Sequence, residues 1–304
     1  MVHQVNGIKN LYIIFGDNGG RFPHCHTFLF IEGEGITLFD PQCGRELLGQ
    51  ALSSMGKSWR NIRNIVNTHF HVDHTASNAF IKSKCSDVQI WIHQDDAEGM
   101  KSKEEYSRRY GLSGQATGHY KFIFEQLGYQ PMNPDHIFKE GDLVPGGFEV
   151  IHTPGHSPGH CSFYKIGILI SGDVDLVGRP WVCNVTSNVN DFDNSIKKLK
   201  KLDVDTFLPG HGQPLFGRTK IQSQLETYRN KLLTTGIKIL NLIDGAMQLE
   251  EILEIRFGES IIKNQNPMMK LFRRYDTLNY LYYLEHLSKI NKIEKDNQIF
   301  WKKN

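Results

Sequence analysis

Over the first 210 residues, short apolar runs alternate with amphipathic stretches. Residues 11–15 and 27–32 have strand composition. Residues 35–40 (GITLFD) form a brief apolar run ending in an acid, with Pro41 and Gly44 as turn signals. Residues 61–68 and 88–93 repeat the pattern, and the first of these ends directly in a histidine cluster. Residues 95–128 are polar and amphipathic and predict a helical insertion. Further strands are predicted at 148–152, 162–166, 168–171 and 206–208, with a helix over 191–202 capped by Asp191. Many short strands interleaved with helices predict an α/β layered fold.

Beyond residue 217 the pattern becomes helical. Leu225, Tyr228, Leu232 and Leu233 share one face of a helix over 220–243, and helices are also predicted over 249–257 and 277–290. Residues 292–302 read as a hairpin turning at Asp296 and Asn297. Helices followed by a hairpin predict a small winged-helix-like module. The expected organisation is therefore a catalytic domain over 1–217 and a C-terminal module over 218–304.

Composition narrows the class. The chain has 304 residues, 39% hydrophobic and 22% charged, which suits a soluble globular protein and excludes wholesale disorder. No apolar run approaches the roughly 18 residues of a spanning helix, so no membrane partner is expected. The first residues lack a basic segment followed by an apolar one, so the expected location is cytoplasmic. The formal charge is +2, too even to signal nucleic acid. From 218 to 304 there are 15 Lys/Arg against 10 Asp/Glu, a mildly basic tail. The five cysteines are odd in number and lack CxxC spacing, which excludes a disulfide framework and a zinc knuckle.

The chemistry concentrates in residues 68–74, Thr-His-Phe-His-Val-Asp-His. Imidazoles suit zinc or iron, and a carboxylate adds a hard, charge-neutralising ligand. In a continuing strand His69, His71 and Asp73 would share one face. A helical turn would instead pair His71 with His74. Only a loop-to-helix bend gives two adjacent clusters. Three further candidates stand singly at strand ends: His156 in HTPGHSPGH, Asp173 in ISGDVDL and His211 in LPGHG. Burying so many ionisable groups without a shared partner would be costly, which favours metal.

These four motifs, in this order, resemble the metallo-β-lactamase-fold hydrolases over roughly residues 10–217. The resemblance implies a four-layer αββα sandwich with the site at one edge. It implies that His69, His71 and His156 hold one metal and Asp73, His74 and His211 a second, with Asp173 bridging. It also places Asp40 behind a ligand histidine. Two divalent ions are the implied cofactors, zinc foremost, while iron and manganese fit the same donors. Two such ions can hold a bridging hydroxide at neutral pH, and Asp73 is the candidate catalytic residue for orienting it or handling the proton. No cysteine falls at a motif position, which separates the chain from zinc β-lactamases with a cysteine ligand.

The expected activity is hydrolysis of a small ester-like substrate: a thioester, lactone or related acyl compound. The nearest named activity is that of glyoxalase II, although the tail does not read as that family's glutathione-binding domain. The alternative is a single-strand endoribonuclease or phosphodiesterase of the same fold, with lysines at 289, 292, 295, 302 and 303 on phosphates. Nucleic acid is the less favoured partner; the tail is read first as capping the site or building a homodimer. His24 and His26 read as packing, His152 and His160 as hydrogen-bonding histidines, and Arg179 to Trp181 as a pocket wall.

Overall fold

The computed structural model describes the chain except residues 1, 6, 113–116 and 265. The first sheet runs in chain order through β1 (Val2–Gln4), β2 (Leu11–Ile14), β3 (Thr27–Glu32), β4 (Gly35–Phe39), β5 (Ile62–Val66), β6 (Gln89–His93) and β7 (His136–Phe138). It is antiparallel up to β4 and parallel from β4 to β7. The second sheet contains β8 (Leu143–Val144), β9 (Phe148–His152), β10 (Cys161–Lys165), β11 (Ile168–Gly172), β12 (Thr206–Pro209) and β13 (Leu215–Phe216), in the order 13-12-11-10-9-8. Only β11 and β12 pair in parallel there.

Strand alternation builds the layers. Phe28 and Phe30 of β3 and Phe39 of β4 face Phe148 of β9 and Phe163 of β10, with the Phe39 and Phe148 rings 5.0 Å apart. Each such ring contributes about 1.5–3 kcal/mol by burial. The intervening residues Leu29, Ile36 and Leu38 point outward, onto Leu48, Ala51 and Leu52 of the helix Arg45–Ser54. On the far side, Leu169 and Phe207 meet Ile196 and Leu199 of the helix Val189–Leu199 and Leu225 and Tyr228 of the helix Arg218–Leu242. The result is the αββα sandwich.

The C-terminal part adds helices Leu249–Phe257, Glu259–Asn264 and Pro267–His286. It also adds a third sheet of β14 (Ala246–Gln248), β15 (Ile290–Lys295) and β16 (Gln298–Lys303), in the order 14-16-15. Its apolar side chains do not form a separate core. One cluster runs from Leu169 and Phe207 through Tyr228 to Tyr280 and Trp301. The helix Pro267–His286 reaches both outer layers, with Leu271 in the cluster on the first sheet and Leu281 and Leu284 in that on the second.

Several elements differ from the sequence reading. The helix expected over 277–290 spans Pro267–His286: Asn266 accepts from the Met269 amide as its cap, and Pro267 takes the first turn, where no amide hydrogen is needed. Asn188, not Asp191, caps Val189–Leu199, because its side chain accepts from the Asp191 amide. The short strands β1, β7, β8, β13 and β14 carry too few residues for periodicity to reveal them. The expected hairpin turns at Asp296 and Asn297, both left-handed, at φ 51° and 59°.

Candidate metal centre

Two parallel strand pairs, β4/β5 in one sheet and β11/β12 in the other, end at the same edge of the sandwich. Their carboxyl ends deliver the candidate ligands. After β5 the chain makes the bend that yields two clusters. His69 and His71 precede the short helix Val72–Thr75, which carries Asp73 and His74 in its single turn. His156 lies in the β9–β10 loop, Asp173 follows β11 and His211 follows β12. Two glycines permit this close approach. Gly155 sits at φ +126°, where a Cβ would fall 2.3 Å from the Phe192 amide nitrogen; Gly172 sits at φ +54°, where one would fall 2.6 Å from His160 Nε2.

The donor atoms converge. His69, His71 and His156 form one group with ligand atoms within 4.8 Å of one another, and Asp73, His74 and His211 form another. Asp173 lies between them. Its Oδ2 is 3.1 Å from His156 Nε2, and its Oδ1 is 3.0 Å from His74 Nε2 and 3.4 Å from His211 Nε2. Asp73 Oδ2 lies 3.5 Å from His211 Nε2.

Each histidine is held by one nitrogen and offers the other. His69 Nδ1 is bound to the Thr68 hydroxyl at 3.0 Å, and His74 Nδ1 donates to Asp40 at 2.8 Å. His156 Nδ1 donates to the Trp181 carbonyl at 3.1 Å and His211 Nδ1 to the Gly20 carbonyl. His71 Nε2 meets the Asn184 carboxamide at 3.1 Å. Ligand histidines are oriented in this way at metal sites. Two observations fit a cation: His69 Nε2 is buried without a hydrogen-bond partner, and Asp173 Oδ1 has none either despite its neighbouring nitrogens. Orphaned buried polar atoms of this kind are rare unless something binds there.

The electrostatics agree. Burial, reinforced by neighbouring imidazoles, holds His69 and His71 well below the usual histidine range. This favours the neutral form that metal ligation would require. Burial also opposes charge on His74 and His211, but Asp173 and the other acids outweigh it and raise both. Burial disfavours the Asp173 carboxylate as well, yet His156, His74 and His211 hold it ionised. A divalent cation here would supply the positive charge this donor set otherwise takes from protons.

The supporting residues divide into those sequence reading reached and those it did not. Asp40 sits at φ 50°, a left-handed conformation strained for aspartate. Its carboxylate accepts from the Thr68 amide at 2.8 Å, the Thr68 hydroxyl at 2.7 Å and His74. His160 is a hydrogen-bonding histidine: Nδ1 donates to the Thr153 carbonyl and Nε2 accepts from the Asp173 amide at 2.9 Å. Burial first, then His156, lowers it to about 3, so it stays neutral. His26 ties Gly16 to Gly212 and does not join the ligands.

Asp96, Asn184 and Asn279 were not reached, because no local pattern marks them. Asp96 accepts from Ser157 at 2.6 Å, Gly159 at 2.8 Å and Phe70 at 3.2 Å, joining the two ligand loops. Asn279 donates to the carbonyls of Val182 and Asn184 at 2.8 and 2.9 Å. The helix Pro267–His286 thereby holds the segment that orients His71 and His156. Arg179 is drawn away from the cleft into a pair with the buried Asp276, whereas Trp181 does line the cleft.

This cleft has a volume of about 610 Å³. An αββα sandwich with a His/Asp cluster at one edge and an open cleft above it defines a metal-dependent hydrolase. The chain belongs to the metallo-beta-lactamase superfamily, whose family model matches residues 20–211. It is similar to a probable metallo-hydrolase, YflN, of Bacillus subtilis, at 26% identity over 68% of this chain and 83% of the relative. It is also similar to hydroxyacylglutathione hydrolase GloC of Haemophilus influenzae, at 25% identity over 50% of this chain and 66% of that one. Among solved structures, the metallo-beta-lactamase family protein TTHA1429 of Thermus thermophilus shares the fold at a TM-score of 0.76, with 20% identity over 98% of this chain and 99% of that one. No helix among the described residues is long and apolar enough to cross a membrane.

Proposed function

We propose that the protein is a dinuclear metal-dependent hydrolase of small ester-like substrates, a thioester, lactone or related acyl compound. His69, His71 and His156 would hold one ion and Asp73, His74 and His211 the other, with Asp173 shared; zinc is the expected metal. The observation that carries this reading is the position of Asp173 between two triads, with its Oδ1 and His69 Nε2 buried and without a hydrogen-bond partner. The cleft volume falls within the roughly 300–1,000 Å³ usual for small-molecule sites. The similarity to a hydroxyacylglutathione hydrolase supports an acyl substrate.

When bound, the two ions would supply a water acidic enough to ionise at neutral pH and polarise the substrate carbonyl. The chain does the rest. Asp73, partly open to the cleft, orients the attacking water and accepts its proton. The water oxygen bonds to the carbonyl carbon, the C–O or C–S bond breaks, and the proton passes to the leaving group. Asp40 fixes the orientation of His74, and Thr68 that of His69.

The test is a turnover panel on metal-quantified protein, with Asp73→Ala as control. The panel holds a thioester, a lactone, a phosphodiester and single-stranded RNA. Two metal equivalents per chain and turnover of the acyl substrates, lost in Asp73→Ala, are expected. RNA cleavage that Asp73→Ala abolishes, without acyl turnover, would replace this reading with the ribonuclease one.

A further inference from the structure

The two sides of the cleft differ in chemistry. Beside His71 and His156 the wall is continuous and aromatic. The Tyr110 ring meets His71 edge-on with centroids 4.9 Å apart, and Phe272 lies 6.1 Å from Tyr110 and 5.0 Å from Trp181. Met268 extends this wall. It stands one helical turn before Phe272 on Pro267–His286, so both side chains project from the same face. Trp181 is 39% exposed, a large ring left open next to the ligands. Across the cleft, beside His211, the lining is mixed: Arg21 and Gln213 are its polar side chains, Gly19, Gly20 and Gly212 offer backbone, and Phe22 and Val177 are apolar. Among the described residues, Arg21 is the one Lys or Arg lining the cleft.

Resting on the hydrolase reading above, we infer that Tyr110, Trp181, Met268 and Phe272 form an acyl pocket. The substrate seats an apolar acyl chain on the His71/His156 side and directs its polar leaving group toward Arg21 and Gln213. Apolar surface gains by leaving water against this wall, whereas a charged group there would lose hydration without finding a partner. A polyanionic substrate would find a single guanidinium. The helix Pro267–His286 thus sets specificity, in addition to holding the segment behind His71 and His156.

The experiment uses the metal-loaded full chain and N-acetylcysteamine thioesters from acetyl to octanoyl. In the wild type, kcat/KM rises by about fourfold for each methylene that enters the pocket. The quantity read is the octanoyl-to-acetyl ratio within each protein, so partial loss of active enzyme cancels. Phe272→Ala and Met268→Ser each lower this ratio by about tenfold. A second readout needs no turnover: nonan-2-one, a non-hydrolysable octanoyl mimic, changes the fluorescence of Trp181 at far lower concentration than acetone, and the signal is absent in Trp181→Phe. Turnover independent of chain length would overturn the acyl pocket and leave the hydrolase reading intact. Equal responses to nonan-2-one and acetone would also overturn it. Absence of any thioester or lactone turnover would instead defeat the hydrolase reading, and the acyl pocket with it.

Discussion

Asp276 is the place where one substitution tests how the C-terminal helix is attached to the site. Its side chain is only 2% exposed, yet it carries a carboxylate. Oδ1 and Oδ2 accept from Arg179 at 2.7 and 2.9 Å, and Oδ2 also accepts from Arg256 at 2.7 Å. The two cations differ in environment: Arg256 is 12% exposed and Arg179 38%. Asp276→Ala leaves Arg256 charged and buried with the Thr277 hydroxyl but without its carboxylate, which costs about 3–5 kcal/mol. Arg179→Ala removes a partner that water already screens and leaves Asp276 paired with Arg256. That variant costs about 1 kcal/mol. For a chain of this length, about 2 °C of melting temperature corresponds to 1 kcal/mol. Thermal denaturation at pH 7 is therefore expected to drop by about 6–10 °C for Asp276→Ala and about 2 °C for Arg179→Ala. Metal affinity, read by chelator competition, should fall with the first variant, because Asn279 one turn later holds the segment behind His71 and His156. A melting temperature for Asp276→Ala within 2 °C of wild type, or equal losses for the two variants, would refute the reasoning.

Four further outcomes are expected. Asp73→Ala abolishes hydrolysis while circular dichroism stays native; undiminished turnover would remove Asp73 from the mechanism. Asp40→Asn weakens metal binding by about 10–100-fold, measured by chelator competition, since it loosens His74. Burial raises the Asp96 carboxyl to about 6 despite its three donors. A raised acid favours folding below its unfolded value near 3.8 and ceases to do so as pH climbs through 6. Wild type should therefore lose up to about 3 kcal/mol more than Asp96→Asn between about pH 3 and 7 in urea titrations. Parallel pH profiles would count against this. Gly155→Ala forces a Cβ against the Phe192 backbone and should displace His156, lowering the metal bound per chain relative to wild type in elemental analysis.

The candidate ligand motifs were legible because each is local. His69 to His74 follow an apolar strand, and His156, Asp173 and His211 each sit beside Pro or Gly at a strand end, where a chain must turn. Strands of five or six residues with clear apolar composition were equally readable, as was the turn at Asp296 and Asn297. Strands of two or three residues, such as β8 and β13, were not, because a period of two cannot be read from two positions. The start of the helix at Pro267 was hidden for a different reason. Residues 267–276 place Met268, Leu271 and Phe272 toward the first sheet and the cleft, so their pattern answers to a surface that the helix meets only in the fold.

The sequence by itself determined which side chains can ligate, their order along the chain, the layered α/β class and the helices-then-hairpin character of the tail. Tertiary structure decided what surrounds them. Asn184 reaches His71 across 113 positions and Arg179 reaches Asp276 across 97. Asp96 joins the loops of Phe70 and Ser157 from a helix between them in sequence. The mildly basic tail shares an apolar cluster with the second sheet and lends two side chains to the cleft. The physical reason is common to all of these. Ligand chemistry and strand ends are encoded over a few neighbouring residues, whereas the partner of a buried polar or aromatic group is set by which surfaces close on one another, and spacing along the chain carries no record of that.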